Sequence, residues 1–264
     1  MATSSIGRNA RLSRSFALAV LVALYSCGSG TTGPGGAVPG ITPPAPDDLG
    51  VLFIGNSLTY WNDMPGLLEE LLESANIGPV HIQSVAFSNF GLQDHWVEGT
   101  ARSAIALGGW DVVILQQGPS ATEGRPSLLE YAQRFAGEIS AIGARPALYM
   151  VWPASTRPFD FDGVSDSYST AAGLVEGLLF PAGEAWRSAW ARDQNAPLYG
   201  PDGFHPALAG SYLAALVMYQ QLADRDPRDV PPARLVADGI NASLAEVLLV
   251  AAAEANELFQ RPAP

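Results

Sequence analysis

Residues 49–57 read Leu-Gly-Val-Leu-Phe-Ile-Gly-Asn-Ser, a short apolar run that stops at Gly55 and is followed at once by a polar turn. An uninterrupted apolar stretch of this length, closed by glycine, is the pattern of a strand buried on both faces. Immediately downstream, residues 65–75 (PGLLEELLESA) carry leucine pairs at helical spacing with acids between them, so the reading is strand, turn, helix. The same unit recurs. Residues 80–85, 111–115 (DVVIL) and 146–152 have strand character, with helices expected over 96–107 and 127–142. A weaker fifth strand is expected at 178–181, then helices over 186–190, 206–222 and 235–258. Strands alternating with helices imply an α/β domain built on a mostly parallel five-stranded sheet with both faces covered.

In such sheets ligands bind outside the carboxyl ends of the strands, so the residues after each strand are the candidates for chemistry. Ser57 follows the first strand, Gly91 lies a short way after the second, Gln116, Gln117 and Ser120 follow the third, and Trp152 closes the fourth. A serine on a tight strand-to-helix turn presents both its hydroxyl and its own N–H to the same space. By itself such a serine is more often a helix cap than a nucleophile. Downstream, Asp202-Gly203-Phe204-His205-Pro206 puts a carboxylate three residues before a histidine in a loop that opens a helix. That spacing lets Asp202 hold one ring nitrogen of His205 and leaves the other to take a proton from serine.

The Gly55-Asn56-Ser57-Leu58 and Asp202-Gly203-Phe204-His205-Pro206 blocks, the second followed by Ala-Gly-Ser-Tyr-Leu at 209–213, resemble the first and last motifs of the SGNH/GDSL hydrolases. The resemblance spans nearly all of residues 49–225 and implies a flavodoxin-like three-layer α/β/α sandwich. It makes Ser57 the nucleophile, His205 the base and then acid, and Asp202 the orienting carboxylate. It also implies an oxyanion hole formed by the N–H of Ser57, the N–H of Gly91 and an Asn side chain after the third strand. That Asn is absent: Gly118-Pro119-Ser120-Ala121 stands in its place, with Ser120 at the Asn position. Gln116 and Gln117 are the candidate replacement donors, the alternative being that backbone groups satisfy them. Leu92-Gln93-Asp94-His95-Trp96 resembles a variant second block. Asn56, His95, Trp96, Trp152 and Ser120 are therefore candidate pocket residues, with a packed structural histidine as the other reading of His95. Tyr60, Trp61 and Phe204 join the tryptophans near strand ends as a candidate aromatic wall, although aromatic residues are more often core than recognition.

The N-terminus reads as an address. Arg8, Arg11 and Arg14 precede the apolar stretch 16–25 (FALAVLVALY), which is far short of the roughly 20 residues needed to span a bilayer. Leu24-Tyr25-Ser26-Cys27 resembles a bacterial lipoprotein box, and Cys27 is the chain's single cysteine, so no internal disulfide competes for it. Residues 1–27 are thus expected to be an export signal ending at a lipidated Cys27. Residues 28–47, rich in Gly and Pro, should form a flexible tether, and residues 48–264 the hydrolase-like domain. Membrane contact is expected through the N-terminal lipid alone. The 26 acidic against 14 basic residues exclude the clustered cations that nucleic-acid binding needs. Neither a metal nor a cofactor is implied, since no Cys pair, H-E-x-x-H, G-x-G-x-x-G or G-K-[ST] loop is present.

The leading reading is hydrolysis of an ester through an acyl-serine, preferably a short acyl group on a carbohydrate or other polar alcohol. Acyl transfer to another hydroxyl uses the same site. A surface-tethered binding protein on the same fold, weak in catalysis because of its altered third block, is the reading from a different class.

Overall fold

The computed structural model describes residues 40–259. The expected export signal, Cys27 and the expected tether up to residue 39 lie outside the described residues.

Strand β1 (Leu49–Gly55) is buried from its second residue onward, as its unbroken apolar run predicts. After it come the one-turn helix α1 (Ser57–Tyr60), α2 (Met64–Ser74) and β2 (Val80–Ala86). Next are α3 (Leu92–Glu98), α4 (Thr100–Ala106), β3 (Val112–Leu115) and α5 (Arg125–Ala141). Strand β4 (Arg145–Tyr149), α6 (Phe161–Leu174) and β5 (Leu178–Phe180) complete the sheet, and α7 (Ala182–Arg192), α8 (Leu208–Ala223), α9 (Pro232–Ala237) and α10 (Ala242–Phe259) close the chain. The five strands run in the order β2-β1-β3-β4-β5, every pair parallel. Helices α3, α5 and α6 pack together, as do α2, α7, α8 and α10, giving the two outer layers of an α/β/α sandwich. Order 2-1-3-4-5 is the flavodoxin-like arrangement, with its crevice beside the carboxyl end of β1. Ser57 lies at that end.

Several boundaries differ from the sequence expectation, each for a local reason. The helix expected over 96–107 begins earlier, at Leu92, and is divided by Gly99, whose left-handed φ of 94° ends α3 before α4 starts. The helix expected over 235–258 is likewise interrupted, at Gly239 with φ of 95°. Helix α6 was not anticipated, because serines and a glycine dilute its pattern; it buries Phe161, Val164, Tyr168 and Ala171 along one stripe. Strand β4 stops at Tyr149, which leaves Trp152 in the loop beyond it. The domain also begins before residue 48. Ile41 packs on the core, His81 Nε2 donates to the Thr42 carbonyl at 2.9 Å, and the Pro44 ring covers Gly50, where a Cβ would collide with it.

Candidate active site

The turn from β1 into α1 is built from polar groups buried beneath it. Asn56 caps α1, its Oδ1 accepting from the Leu58 N–H at 3.0 Å while its Nδ2 donates to the Phe90 carbonyl at 2.9 Å. The Asn56 N–H donates to Gln116 Oε1 at 2.8 Å, and the Thr59 hydroxyl donates to the same oxygen at 2.8 Å. Only glycine fits at position 55, because a Cβ there would strike Thr59 Oγ1 and Gln116 Oε1. Asn56 thus ties together the ends of β1, β3 and the loop after β2, and Ser57 follows on a fixed backbone.

Across 148 residues of sequence, Ser57 Oγ lies 2.9 Å from His205 Nε2. The other ring nitrogen, Nδ1, donates to Asp202 Oδ2 at 2.6 Å. An ionised carboxylate can only accept, so the ring proton sits on Nδ1 and Nε2 is left to accept the Ser57 O–H. Asp202 Oδ1 also accepts the N–H groups of Phe204 and His205, at 3.0 and 2.9 Å. The His205 hydrogen bond, followed by the Phe204 amide, holds the Asp202 carboxyl down at about 2. Gly203 makes this tight loop feasible: its φ is 69°, its carbonyl accepts from the Ser155 N–H at 2.8 Å, and a Cβ would collide with the Ser155 hydroxyl.

Trp61 stacks on the His205 ring, centroids 4.1 Å apart and planes 19° from parallel, and Phe204 meets the same ring edge-on at 5.4 Å. Beside Trp61 the backbone turns through two left-handed residues, Asn62 (φ 54°) and Asp63 (φ 51°). Asn62 is fastened there by Nδ2 donating to the Pro206 carbonyl at 3.0 Å and to Ser211 Oγ at 2.9 Å. Ser211 in turn donates to the Trp61 carbonyl at 3.3 Å. This clamp joins the serine turn to the histidine loop. Sequence reading missed Asn62; the one available signal is an Asn-Asp pair just before a helix-opening Met-Pro, a place where left-handed residues gather.

The expected oxyanion donors are for the most part committed elsewhere. Gln116 is fully buried and its Nε2 donates to the Gln117 carbonyl at 2.6 Å. Gln117 Nε2 donates to Ser120 Oγ at 2.7 Å and to the Gly124 carbonyl at 3.0 Å, and its Oε1 accepts the Leu92 N–H at 3.2 Å. Both Nε2 hydrogens of Gln117 are engaged, and Gln116 is fully buried with its Nε2 on a carbonyl, so both side chains serve as struts between loops. The Gly91 N–H points at Asp94 Oδ2, 2.8 Å away, as part of the cap of α3. Ser57, at the first position of α1, keeps an N–H with no acceptor in the preceding turn of helix.

Other pocket candidates are placed differently from expectation. His95 is buried under the serine turn, with Nε2 donating to the Gly55 carbonyl at 2.7 Å and its ring against Phe87 and Phe90. Burial pushes its pKa down, so the ring is neutral, and its Nδ1 has no partner among the described residues. Trp96 faces away, packed on Tyr131 and Phe135 with the Arg102 guanidinium 4.4 Å from its ring centre. Trp152 is buried, stacked on Trp186 at 3.7 Å, and supports the histidine loop by donating from Nε1 to the Phe204 carbonyl at 3.0 Å. Ser120, with φ of 60°, spends its hydroxyl on Gly118 and Gln117 but borders a cavity beside Phe204.

No protein-family model and no curated protein sequence matches the chain. Solved structures do. A candidate SGNH hydrolase from Slackia heliotrinireducens is 25% identical with a TM-score of 0.58, over 66% of this chain and 98% of that one. A DUF4886 family protein from Bacteroides uniformis superposes with a TM-score of 0.69 at 20% identity, over 83% of this chain and 98% of its own. A catalytic mutant of an acetylxylan esterase from Geobacillus stearothermophilus shares the fold at a TM-score of 0.52 and 14% identity, over 67% of this chain and 94% of that one.

Proposed function

From the premise that this chain belongs with the SGNH/GDSL hydrolases, we propose that it cleaves carboxylic esters through an acyl-Ser57 intermediate. The observation that carries the reading is the continuous hydrogen-bonded line from Ser57 Oγ through His205 to Asp202, at 2.9 and 2.6 Å. In the first half-reaction Ser57 Oγ attacks the ester carbonyl carbon while His205 Nε2 takes its proton. Asp202 stabilises the imidazolium that forms, and the Ser57 N–H faces the oxyanion. Collapse breaks the bond to the alcohol oxygen, which receives the proton from Nε2, leaving the acyl group on Ser57. Water then adds to the acyl carbon, giving its proton to Nε2, and Ser57 departs with that proton as the carboxylic acid is released.

The substrate in this reading is a short acyl ester of a carbohydrate or another polar alcohol. The openness of the site supports it: the His205 side chain is 21% exposed and that of Asp202 49%, so the histidine end of the triad lies near solvent. The shared fold with an acetylxylan esterase agrees with this choice. The N-terminal sequence supports export to a bacterial envelope with a lipid on Cys27, and mass spectrometry of the native protein for residues upstream of Cys27 tests that part.

The decisive experiment is hydrolysis of p-nitrophenyl acetate by the purified protein beside Ser57→Ala, His205→Ala and Asp202→Asn. The first two should lose turnover by about 10⁴-fold or more, as when a triad member is removed from other serine hydrolases. Wild-type turnover in Ser57→Ala would overturn the assignment.

A further inference from the structure

A cavity of about 250 Å³ lies between the loops that follow β3 and β4, on the same carboxyl end of the sheet as Ser57. Ser120, Glu123, Pro153, Arg157, Asp160 and Phe204 are among the residues that line it. Its walls are held in advance. Tyr199 donates to the Pro153 carbonyl at 2.6 Å, Ser155 N–H to the Gly203 carbonyl at 2.8 Å, and Gln117 holds both Ser120 and the Gly124 carbonyl. Phe204 joins this cavity to the triad, because it lines the one and meets the His205 ring edge-on in the other.

The chemistry of the proposed reaction says which half of the ester belongs there. The group that protonates the leaving alcohol is His205, so the alcohol must lie on the His205 side of the scissile bond. One face of that ring is covered by Trp61. Phe204, which packs edge-on against the ring, also borders the cavity. The volume is below the roughly 300–1,000 Å³ typical of sites for drug-sized ligands, so it admits a small ring and little more. Its charges are one guanidinium and two carboxylates, with Arg157 Nε paired to Asp160 Oδ2 at 2.5 Å. A net negative, hydrogen-bonding enclosure beside a phenyl ring repels anionic alcohols and offers acceptors to hydroxyl groups.

Resting on the esterase reading, we infer that this cavity is the alcohol subsite and takes one neutral, polyhydroxylated ring. Phe204 forms its apolar wall, and Glu123 and Arg157 supply partners for the hydroxyls. Both determine specificity without touching the reacting atoms.

The test compares two alkyl acetates that give the same acetyl-Ser57, a mono-O-acetylated methyl glucoside and ethyl acetate, in the wild type, Glu123→Gln and Arg157→Met. The expected result is a fall in kcat/KM of tenfold or more for the sugar acetate in both variants, with ethyl acetate unchanged within twofold. Equal loss on both esters would mean that the substitutions act through structure, and would overturn the subsite. Unchanged sugar-ester kinetics in active variants would overturn it while leaving the esterase intact. A wild type without Ser57-dependent turnover of either ester would remove the esterase reading and the subsite with it.

Discussion

Replacing Gln116 by alanine separates two roles that predict opposite measurements. In the structure Gln116 is fully buried, accepts from the Asn56 N–H and the Thr59 hydroxyl at 2.8 Å each, and donates to the Gln117 carbonyl at 2.6 Å. Alanine leaves two buried donors without an acceptor, at about 1–3 kcal/mol apiece. It also empties the space of four heavy atoms, and allowing for partial rearrangement of the Thr59 hydroxyl the total loss is about 3–5 kcal/mol. For a domain of this size that lowers Tm by roughly 6–20 °C. An oxyanion donor behaves differently: its removal costs about 100- to 1,000-fold in turnover with little change in stability. Urea denaturation followed by circular dichroism, alongside kcat on p-nitrophenyl acetate at a temperature where the variant is folded, reads both quantities. Gln116→Met, which restores volume but no acceptor, should recover only the cavity part of the loss. An unchanged urea midpoint combined with a 100-fold drop in kcat would refute the strut role and return Gln116 to the oxyanion hole.

Asn62→Gly relieves a left-handed backbone while deleting the bonds to Pro206 and Ser211, so thermal stability should stay close to wild type as kcat falls about 10- to 100-fold through misplacement of His205. Retention of full kcat would show that the clamp does not position the histidine. Asp202 has a folded pKa held below its unfolded value, so whatever stability its charge contributes is complete above the unfolded pKa and is lost progressively as pH falls from there through about 2. Carbon NMR of the Asp202 carboxyl should accordingly show no titration between pH 7 and 4; a midpoint near 4 would contradict the His205 contact. His95→Phe keeps the ring packing, removes an unpartnered Nδ1 and leaves the Gly55 carbonyl its bond from the Phe87 N–H. Its stability by urea denaturation should change by no more than about 1 kcal/mol, and a loss well beyond that would mean the imidazole has a partner the packing does not reveal.

Short-range chemistry carried most of what was legible. The apolar run ending at Gly55 predicted a buried strand because both faces of a parallel sheet are covered, and β1 is buried from Gly50 to Gly55. Asp202 and His205 were readable as a pair because three residues of one loop bring their side chains together without help from the rest of the chain. Helix boundaries were legible only where punctuation was strong. Gly99 and Gly239 each interrupted an apolar pattern that looked continuous, since periodicity does not register a single left-handed residue. Helix α6 escaped because its buried stripe is spelled with Phe, Val, Tyr and Ala among serines, a weak contrast in hydrophobicity.

Residues close together in the chain set the alternation of strand and helix, the serine turn after β1, and the carboxylate-histidine loop. Tertiary structure alone decided which donors remain free. Gln116, Gln117 and Gly91 stand at plausible positions in the sequence, but the folded loops turn their donors onto neighbouring acceptors, Gln116 onto the Gln117 carbonyl, Gln117 onto Ser120 and Gly124, and Gly91 onto Asp94. The same is true of His95 and Trp152, which lie near the site in sequence order yet are turned into the core by packing against Phe87 and Trp186. Trp61 and Asn62 gain their place only when α8 docks beside them, because the groups that fasten them, Pro206 and Ser211, lie more than 140 residues further along the chain.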